Sequence, residues 1–400
     1  MMLFSLLLLF LLTRLVVFAQ STERSAPCTA LAAGWDLIDD SPTINAAISE
    51  CGNGGRIVLP AAQIYSVRSP INLAPCRNCD IQIEGTLLVS QYEWAYWGTQ
   101  DSIFKTNDVH GVTIRSVTGE GVIDGNALNY YLRSRWQGYN AAPHLLHATN
   151  GSSDIHIDNL RIKNAPMHFF RLDGNSSNLK FTRLNMTVEG QDTLAPPNEV
   201  ESYGFELGDV SDVTIDNVYM HFRPRSNNGI YSNIVGACVV MDSGTRRIFV
   251  KDMFCKGTWG GVIVMIGSMS AAVGPPGYNL TTTLTGTGVS DVLVQNLTVE
   301  STLGTGYRLA ITDQKISNVT WDGVNVLSGT AIDGERCYQR SHSTTIWWMY
   351  CVQAGWKAAF ENIRFKNFRG PTVGKAPAPG WGCAANQTLC DIKFEGWPEL

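Results

Sequence analysis

The feature that most constrains this chain is a repeated strand–bend–strand unit. DIQIEGTLLV from Asp80, VTIRSVTGEGVIDG from Val112, DIHIDNLRIKNA from Asp154, LKFTRLNMTV from Leu179 and VTIDNVYMHF from Val213 share one design. IFVKDMFCKG from Ile248, DVLVQNLTVE from Asp291, ISNVTWDGVNV from Ile316, FENIRFKNF from Phe360 and DIKFEG from Asp391 continue the series. In each unit an apolar-x-apolar half meets Asn, Asp or Gly and then resumes, which is the period-two pattern of a strand with one buried face. The bend is too short for a hairpin, and Asp158-Asn159 and Asp216-Asn217 stand at equivalent places in their units. A strand turning a corner into the next face of a coil accounts for both facts, and a β-sandwich does not. Recurrence roughly every 25 to 45 residues is the spacing of a solenoid. The expected fold is all-β, a right-handed parallel β-helix, in one domain over residues 20–400 because no linker interrupts the series.

The end of such a coil exposes apolar rungs and unpaired backbone. Ser41-Pro42-Thr43-Ile44-Asn45-Ala46-Ala47-Ile48 carries a Ser cap and apolar residues at helical spacing, so a short N-terminal helix is expected to cover that end. Gly370 to Gly382, rich in Pro and Gly, reads as a loop over the coil before a last strand.

Charged residues are 16% and hydrophobic ones 44% of the chain, with 38 glycines, which fits a folded chain and excludes disorder. The net charge of −5 argues against general nucleic-acid binding and gives no global attraction to an acidic polymer. Residues 1–19 of MMLFSLLLLFLLTRLVVFAQ read as a secretory signal cleaved after Ala19, with no membrane attachment afterwards. A membrane anchor is the alternative, but the run barely reaches the roughly 20 residues a span needs, and Arg14 interrupts it. All ten cysteines lie beyond this segment, and an even count in a secreted chain implies disulfides. The close pairs are Cys76/Cys79, Cys238/Cys255, Cys337/Cys351 and Cys383/Cys390, leaving Cys28 for Cys51. Zinc is the rival reading of Cys76 and Cys79, but no second pair or His cluster stands at ligand spacing, so neither a metal nor a cofactor is expected. Seven Asn-x-Ser/Thr sequons, at Asn150, Asn175, Asn185, Asn279, Asn296, Asn318 and Asn386, fit a secreted, extracellular, monomeric glycoprotein.

The stretch Glu201 to Met269 contains Glu201-Ser202-Tyr203-Gly204-Phe205, Gly236-Ala237-Cys238 and Cys255-Lys256-Gly257-Thr258-Trp259-Gly260, with Arg308-Leu309-Ala310 farther on. It resembles the polygalacturonase family, glycoside hydrolase family 28. There the corresponding segments are Asn-Thr-Asp-Gly-Phe, Asp-Asp-Cys, Cys-x-Gly-Ser/Thr-His-Gly and Arg-Ile-Lys. Ser69-Pro70-Ile71-Asn72-Leu73, Cys76 with Cys79, Gln82 to Leu87 and Gly119 to Asn126 are similar to the fungal exo-acting branch, the galacturan 1,4-α-galacturonidases. The resemblance implies a pectin-lyase-like solenoid, a pectic polysaccharide or oligogalacturonate as partner, and hydrolysis of terminal α-1,4-galacturonosyl bonds with inversion.

Inversion needs an acid to protonate the leaving oxygen and a carboxylate to activate water, roughly 6.5–9.5 Å apart. Carried over residue by residue, the family's first carboxylate falls on Tyr203, its paired aspartates on Gly236 and Ala237, and its His on Trp259. None of these is a carboxylate or an imidazole. Trp259 suits either a core position or a platform for a sugar ring. Of Arg-Ile-Lys only Arg308 remains, and Tyr338, in Ala331 to Tyr338, matches a family substrate contact. Glu201, Glu206, Asp209 and Asp242 are the nearby acids, expected as solvated turn carboxylates. His221, Arg223, Arg225, Arg246, Arg247, Lys251 and Lys256 offer local positive charge, and His168 reads as a packed rim residue. Two readings follow: an exo-type pectin hydrolase with a rearranged site, or a pseudoenzyme that binds pectin fragments or another extracellular partner across an empty apolar cleft. A calcium-dependent β-helix lyase ranks last, because clustered acidic ligands are missing from this region.

Overall fold

A computed structural model describes residues 26–128, 130–131, 142–191, 202–224, 237–258, 260–265, 288–300, 305–310, 315–328, 348–349, 359–370 and 389–396. Among these the strands pair in parallel and stack into two sheets, one of seventeen strands and one of nine. The larger sheet bends: single strands such as Ser176–Gln191, Val210–Pro224 and Arg246–Lys256 run around a corner without leaving it. This is the expected coil, a right-handed parallel β-helix.

The corner is built residue by residue. Asp158 pairs with Thr182, Thr182 with Asp216, Asp216 with Lys251, Lys251 with Gln295 and Gln295 with Asp322. The next residue on each rung is Asn159, Arg183, Asn217, Asp252, Asn296 or Gly323, and each has positive φ, from 50° to 76°. Asn, Asp and Gly tolerate the left-handed region, so the bend recurs where the sequence places them. A second ladder starts the strands at Asp154, Asn178, Asp212, Arg247, Asp291, Asn318 and Asn362, again at positive φ. Arg183 and Arg247 break the compositional rule. Each donates from its guanidinium to the carboxylate one rung back, Asp158 and Asp212 respectively, where other rungs use an Asn side-chain amide.

Apolar halves point inward and stack on themselves. Phe170, Phe181 and Phe205 form one such knot, at most 1% exposed, with ring centroids 4.6 to 5.1 Å apart. The N-terminal helix spans Ser41–Cys51 and buries Ile44, Ala47 and Ile48 against the first coil. Its cap differs from expectation: Asp40, not Ser41, precedes the helix, and Pro42 lies in the first turn. The Asp40 carboxylate caps nothing, because it accepts from the Ala33 and Ser66 N–H groups at 2.7 and 2.8 Å. Three disulfides are as paired from the sequence: Cys28–Cys51, Cys76–Cys79 and Cys238–Cys255. Cys390 is also disulfide-bonded, while Cys383, Cys337 and Cys351 lie outside the described residues, as does the signal segment 1–19. No helix among the described residues is long and apolar enough to cross a membrane.

Candidate functional site

The nine-strand sheet carries the residues matched to the family motifs. Parallel registry places Lys105, His147, Arg171, Glu206, Val240, Ile263, Arg308 and Trp348 on successive rungs in one column. Three residues upstream on each rung runs a second column: Ser102, His144, His168, Tyr203, Ala237 and Gly260. Rungs are about 4.8 Å apart, so neighbours in a column touch.

In the upstream column the rings stack. His144 lies over His168 at 5.0 Å, and His168 over Tyr203 at 4.6 Å with planes 9° apart. Tyr203 is 7% exposed and Ala237 fully covered, so the positions that the motif resemblance matches to carboxylates hold a buried phenol and a methyl group. Gly204 follows because a Cβ there would strike the Cys238 carbonyl and the Met220 sulfur, both 2.4 Å away. Burial drives both imidazoles to the neutral form, to about 2 for His144 and about 3 for His168. His168 Nδ1 accepts the Tyr203 N–H at 3.1 Å, which leaves the ring proton on Nε2.

The other column is charged. His147 bridges Asp101 (2.6 Å) and Asp173 (2.8 Å). Burial opposes its charge, but those two hydrogen bonds outweigh it and push the pKa up to about 9, so His147 is a cation at neutral pH. Asp173 also accepts from Arg171 Nε at 3.0 Å and is held well below the carboxylate range despite its burial. Glu206 Oε2 lies 3.2 Å from His168 Nε2 and 3.8 Å from Arg171 Nε, but accepts no well-formed hydrogen bond. Burial raises the Glu206 pKa, Arg171 opposes this, and the charges of Asp242 and Asp173 reinforce it. The result is a half-buried carboxyl whose titration is shifted upward by burial, beside the Arg171 cation.

Glu206 is therefore no solvated turn carboxylate; it sits within the strand Phe205–Leu207, because its odd position in the rung faces out between Phe205 and Leu207. Asp242 follows the strand Ala237–Met241, and Asp209 is an exposed turn residue at φ 52°. The basic segment lies elsewhere: His221, Arg223, Arg246, Arg247, Lys251 and Lys256 are on the seventeen-strand sheet. Arg223 pairs there with Glu189, Arg247 with Asp212 and Lys256 with Glu300. His168 is the packed residue expected. Arg308 joins the charged column by registry. Gly236, Trp259, Tyr338, Glu201 and Arg225 lie outside the described residues. His144, His147, Arg171 and Asp173 escaped the sequence reading, although His147, Arg171 and Asp173 stand in the same strand phase as Glu206, and His144 in that of Tyr203. An expected empty apolar cleft is absent from the Lys105 to Glu206 part of this face, since four successive rungs present ionisable groups.

Among the described residues no group of three or more His, Cys, Asp or Glu side chains could hold a metal ion. The model of glycosyl hydrolases family 28 matches residues 53–273. A protein of Aspergillus fumigatus named "Probable endo-xylogalacturonan hydrolase A" is 33% identical over 381 residues, 93% of this chain and 84% of that relative. Endo-xylogalacturonan hydrolase A of Aspergillus tubingensis is 28% identical over 94% of this chain and 86% of its own. The crystal structure of endo-xylogalacturonan hydrolase from Aspergillus tubingensis superposes with a TM-score of 0.60 at 22% identity, covering 92% of this chain and 99% of that one. Polygalacturonase from Erwinia carotovora gives 0.53 at 14% identity, over 94% and 95%. These structural likenesses carry the fold. The relatives are named as endo-acting, so the expected likeness to the exo-acting branch is not matched by them.

Proposed function

We propose, from the premise that this chain belongs to glycosyl hydrolases family 28, a family acting on pectic polysaccharides, that its nine-strand face binds a galacturonate-containing chain without the family's acid–base cleavage. The observation that carries this reading is the pair of buried, non-carboxylate residues Tyr203 and Ala237 beside a column of cations. A methyl group transfers no proton, and a phenol, whose reference pKa is about 10, is a weaker acid than the carboxyl group it stands in for. Each positioned acid or base is typically worth about 10²- to 10⁴-fold in rate, so the loss of both disables that route. Lys105, the charged His147 and Arg171 occupy consecutive rungs, a spacing that suits a chain carrying one carboxylate per sugar. Arg308 extends the same column three rungs past Glu206. The relatives' name supports a xylogalacturonan-type ligand bound along its length rather than at its terminus. The N-terminal apolar segment and the sequons support an extracellular location.

Binding of polygalacturonate and xylogalacturonan to the purified protein, measured beside reducing-end release, tests this. The expected result is binding that weakens in Arg171→Ala, with no release. Release at a rate comparable to an active polygalacturonase would refute it.

A second reading rests on one observation, the raised pKa of Glu206. Asp242 lies one rung and two residues away, about 8 Å between Cα atoms by strand geometry and in the same strand phase, so both carboxyls belong to one side of the sheet, where an inverting acid and base would be needed. Here Glu206 would donate the proton and Asp242 would activate water. Any release that disappears in both Glu206→Gln and Asp242→Asn would support this reading over simple binding.

A further inference from the structure

On the seventeen-strand wall an exposed aromatic stack adjoins a sequon. Parallel registry places Arg161, Asn185, Tyr219 and Phe254 on four successive rungs of the seventeen-strand sheet. Tyr219, 37% exposed, stacks on the half-buried Phe254 with centroids 5.3 Å apart and planes 16° from parallel. With its planes set across the stack axis, Tyr219 turns one face to Phe254 and the other toward the rung of Asn185. His221 meets the Tyr219 edge at 84°, and Arg161 is engaged by Glu120 at 2.7 Å. Tyr219 is a large, partly exposed ring in the middle of a regular strand, and with Phe254 it forms an apolar patch that a covering group would shield.

Asn185-Met186-Thr187 is a sequon, and Asn185 is exposed with its side-chain amide outside the ladders that hold other sequons. Asn150 donates its amide to Asn107, Asn296 to Asp252 and Asn318 to Asp291. We propose that Asn185 carries an N-linked glycan whose first N-acetylglucosamine packs on the free face of Tyr219. Attachment precedes folding. Asn185 Nδ2 displaces the diphosphate of a lipid-diphosphate oligosaccharide donor at its anomeric carbon; the N–C bond forms, the C–O bond breaks, and the amide proton leaves with the lipid diphosphate. Folding then brings the linked sugar one rung, about 4.8 Å, from Tyr219. The sugar's apolar face of axial hydrogens covers the ring, and its hydroxyls stay in water.

The experiment uses the full chain secreted from a eukaryotic host. Glycopeptide mass spectrometry is expected to find Asn185 modified, and an unmodified Asn185 overturns the proposal. Thermal unfolding of the native protein, Asn185→Gln, Tyr219→Ala and the double variant measures the coupling. Asn185→Gln should lower Tm by a few degrees, less than half as much in the Tyr219→Ala background, and fully again with Tyr219→Phe. Equal losses in both backgrounds would mean that the sugar and ring do not touch. If Tyr219→Ala folds poorly, nitration of Tyr219 in the native protein serves instead. The rate should rise after enzymatic deglycosylation, and an unchanged rate sinks the idea.

Discussion

The seventeen-strand wall and the nine-strand face are made by the same coil and differ in how their outward groups are satisfied. On the wall, charges pair and amides form ladders, as in Arg247 with Asp212 and Asn318 with Asp291. On the face, Glu206 keeps a buried oxygen without a partner, His144 a buried nitrogen, and His147 is charged between two carboxylates. Satisfied repetition is what a scaffold needs, whereas unsatisfied groups gathered on one face are what a site needs. The face is thus identified by where the repeat stops being regular.

Breaking what the two regions share should have the largest effect. Phe205 is buried with Phe170 and Phe181, so Phe205→Ala should cost about 3–5 kcal/mol in denaturant unfolding and impair wall and face together. Changes confined to one region should separate them. Arg171→Ala should weaken pectic binding about tenfold to hundredfold, since hydrogen bonds to charged groups are worth roughly 1.5–3 kcal/mol. Titration calorimetry would register this, and unchanged affinity would remove Arg171 from the binding column.

The face should also govern the pH profile. The raised pKa of His147 gives stability that is fully present below its unfolded value near 6.5 and is lost as pH rises through about 9. The depressed values of His144 and His168 act oppositely: their contribution is present above about 6.5 and is lost as pH falls toward about 3, because only the unfolded imidazoles take up protons there. Each group can contribute a slope of at most about 1.4 kcal/mol per pH unit. Stability should peak near neutrality, and His147→Gln should flatten the alkaline limb alone in unfolding measured from pH 5 to 9.

On the wall, effects should be smaller and silent for binding. Asn217→Val puts a β-branched residue at φ 54° and should cost about 1–2 kcal/mol, while Asn217→Gly stays near native. Arg223→Ala removes an exposed pair with Glu189 and should change stability by less than about 0.5 kcal/mol. A clear binding loss from Arg223→Ala would mean that the wall, not the face, meets the ligand.

The coil, its corners, the capping helix and three disulfides could be read from the chain, because each follows from local rules. Alternation sets strand faces, Asn and Asp set bends, and cysteine spacing suggested pairs that folding brings together. Even so, Asp40 took the cap from Ser41, since its carboxylate was needed to bind two loop amides.

By itself, then, the sequence determined the solenoid and the family, and it places Tyr203 and Ala237, neither of them a carboxylate, in the segments that resemble the family motifs. Only the tertiary structure decided which charges share a face. It sent Arg223 and Arg247 to the wall and gathered His147, Arg171 and Glu206, which are 24 and 35 residues apart along the chain, onto neighbouring rungs. The physical reason is registry. A residue's partners on a stacked sheet are set by the lengths of the intervening turns, and its charge state by burial among those partners, neither of which is written in its own neighbourhood.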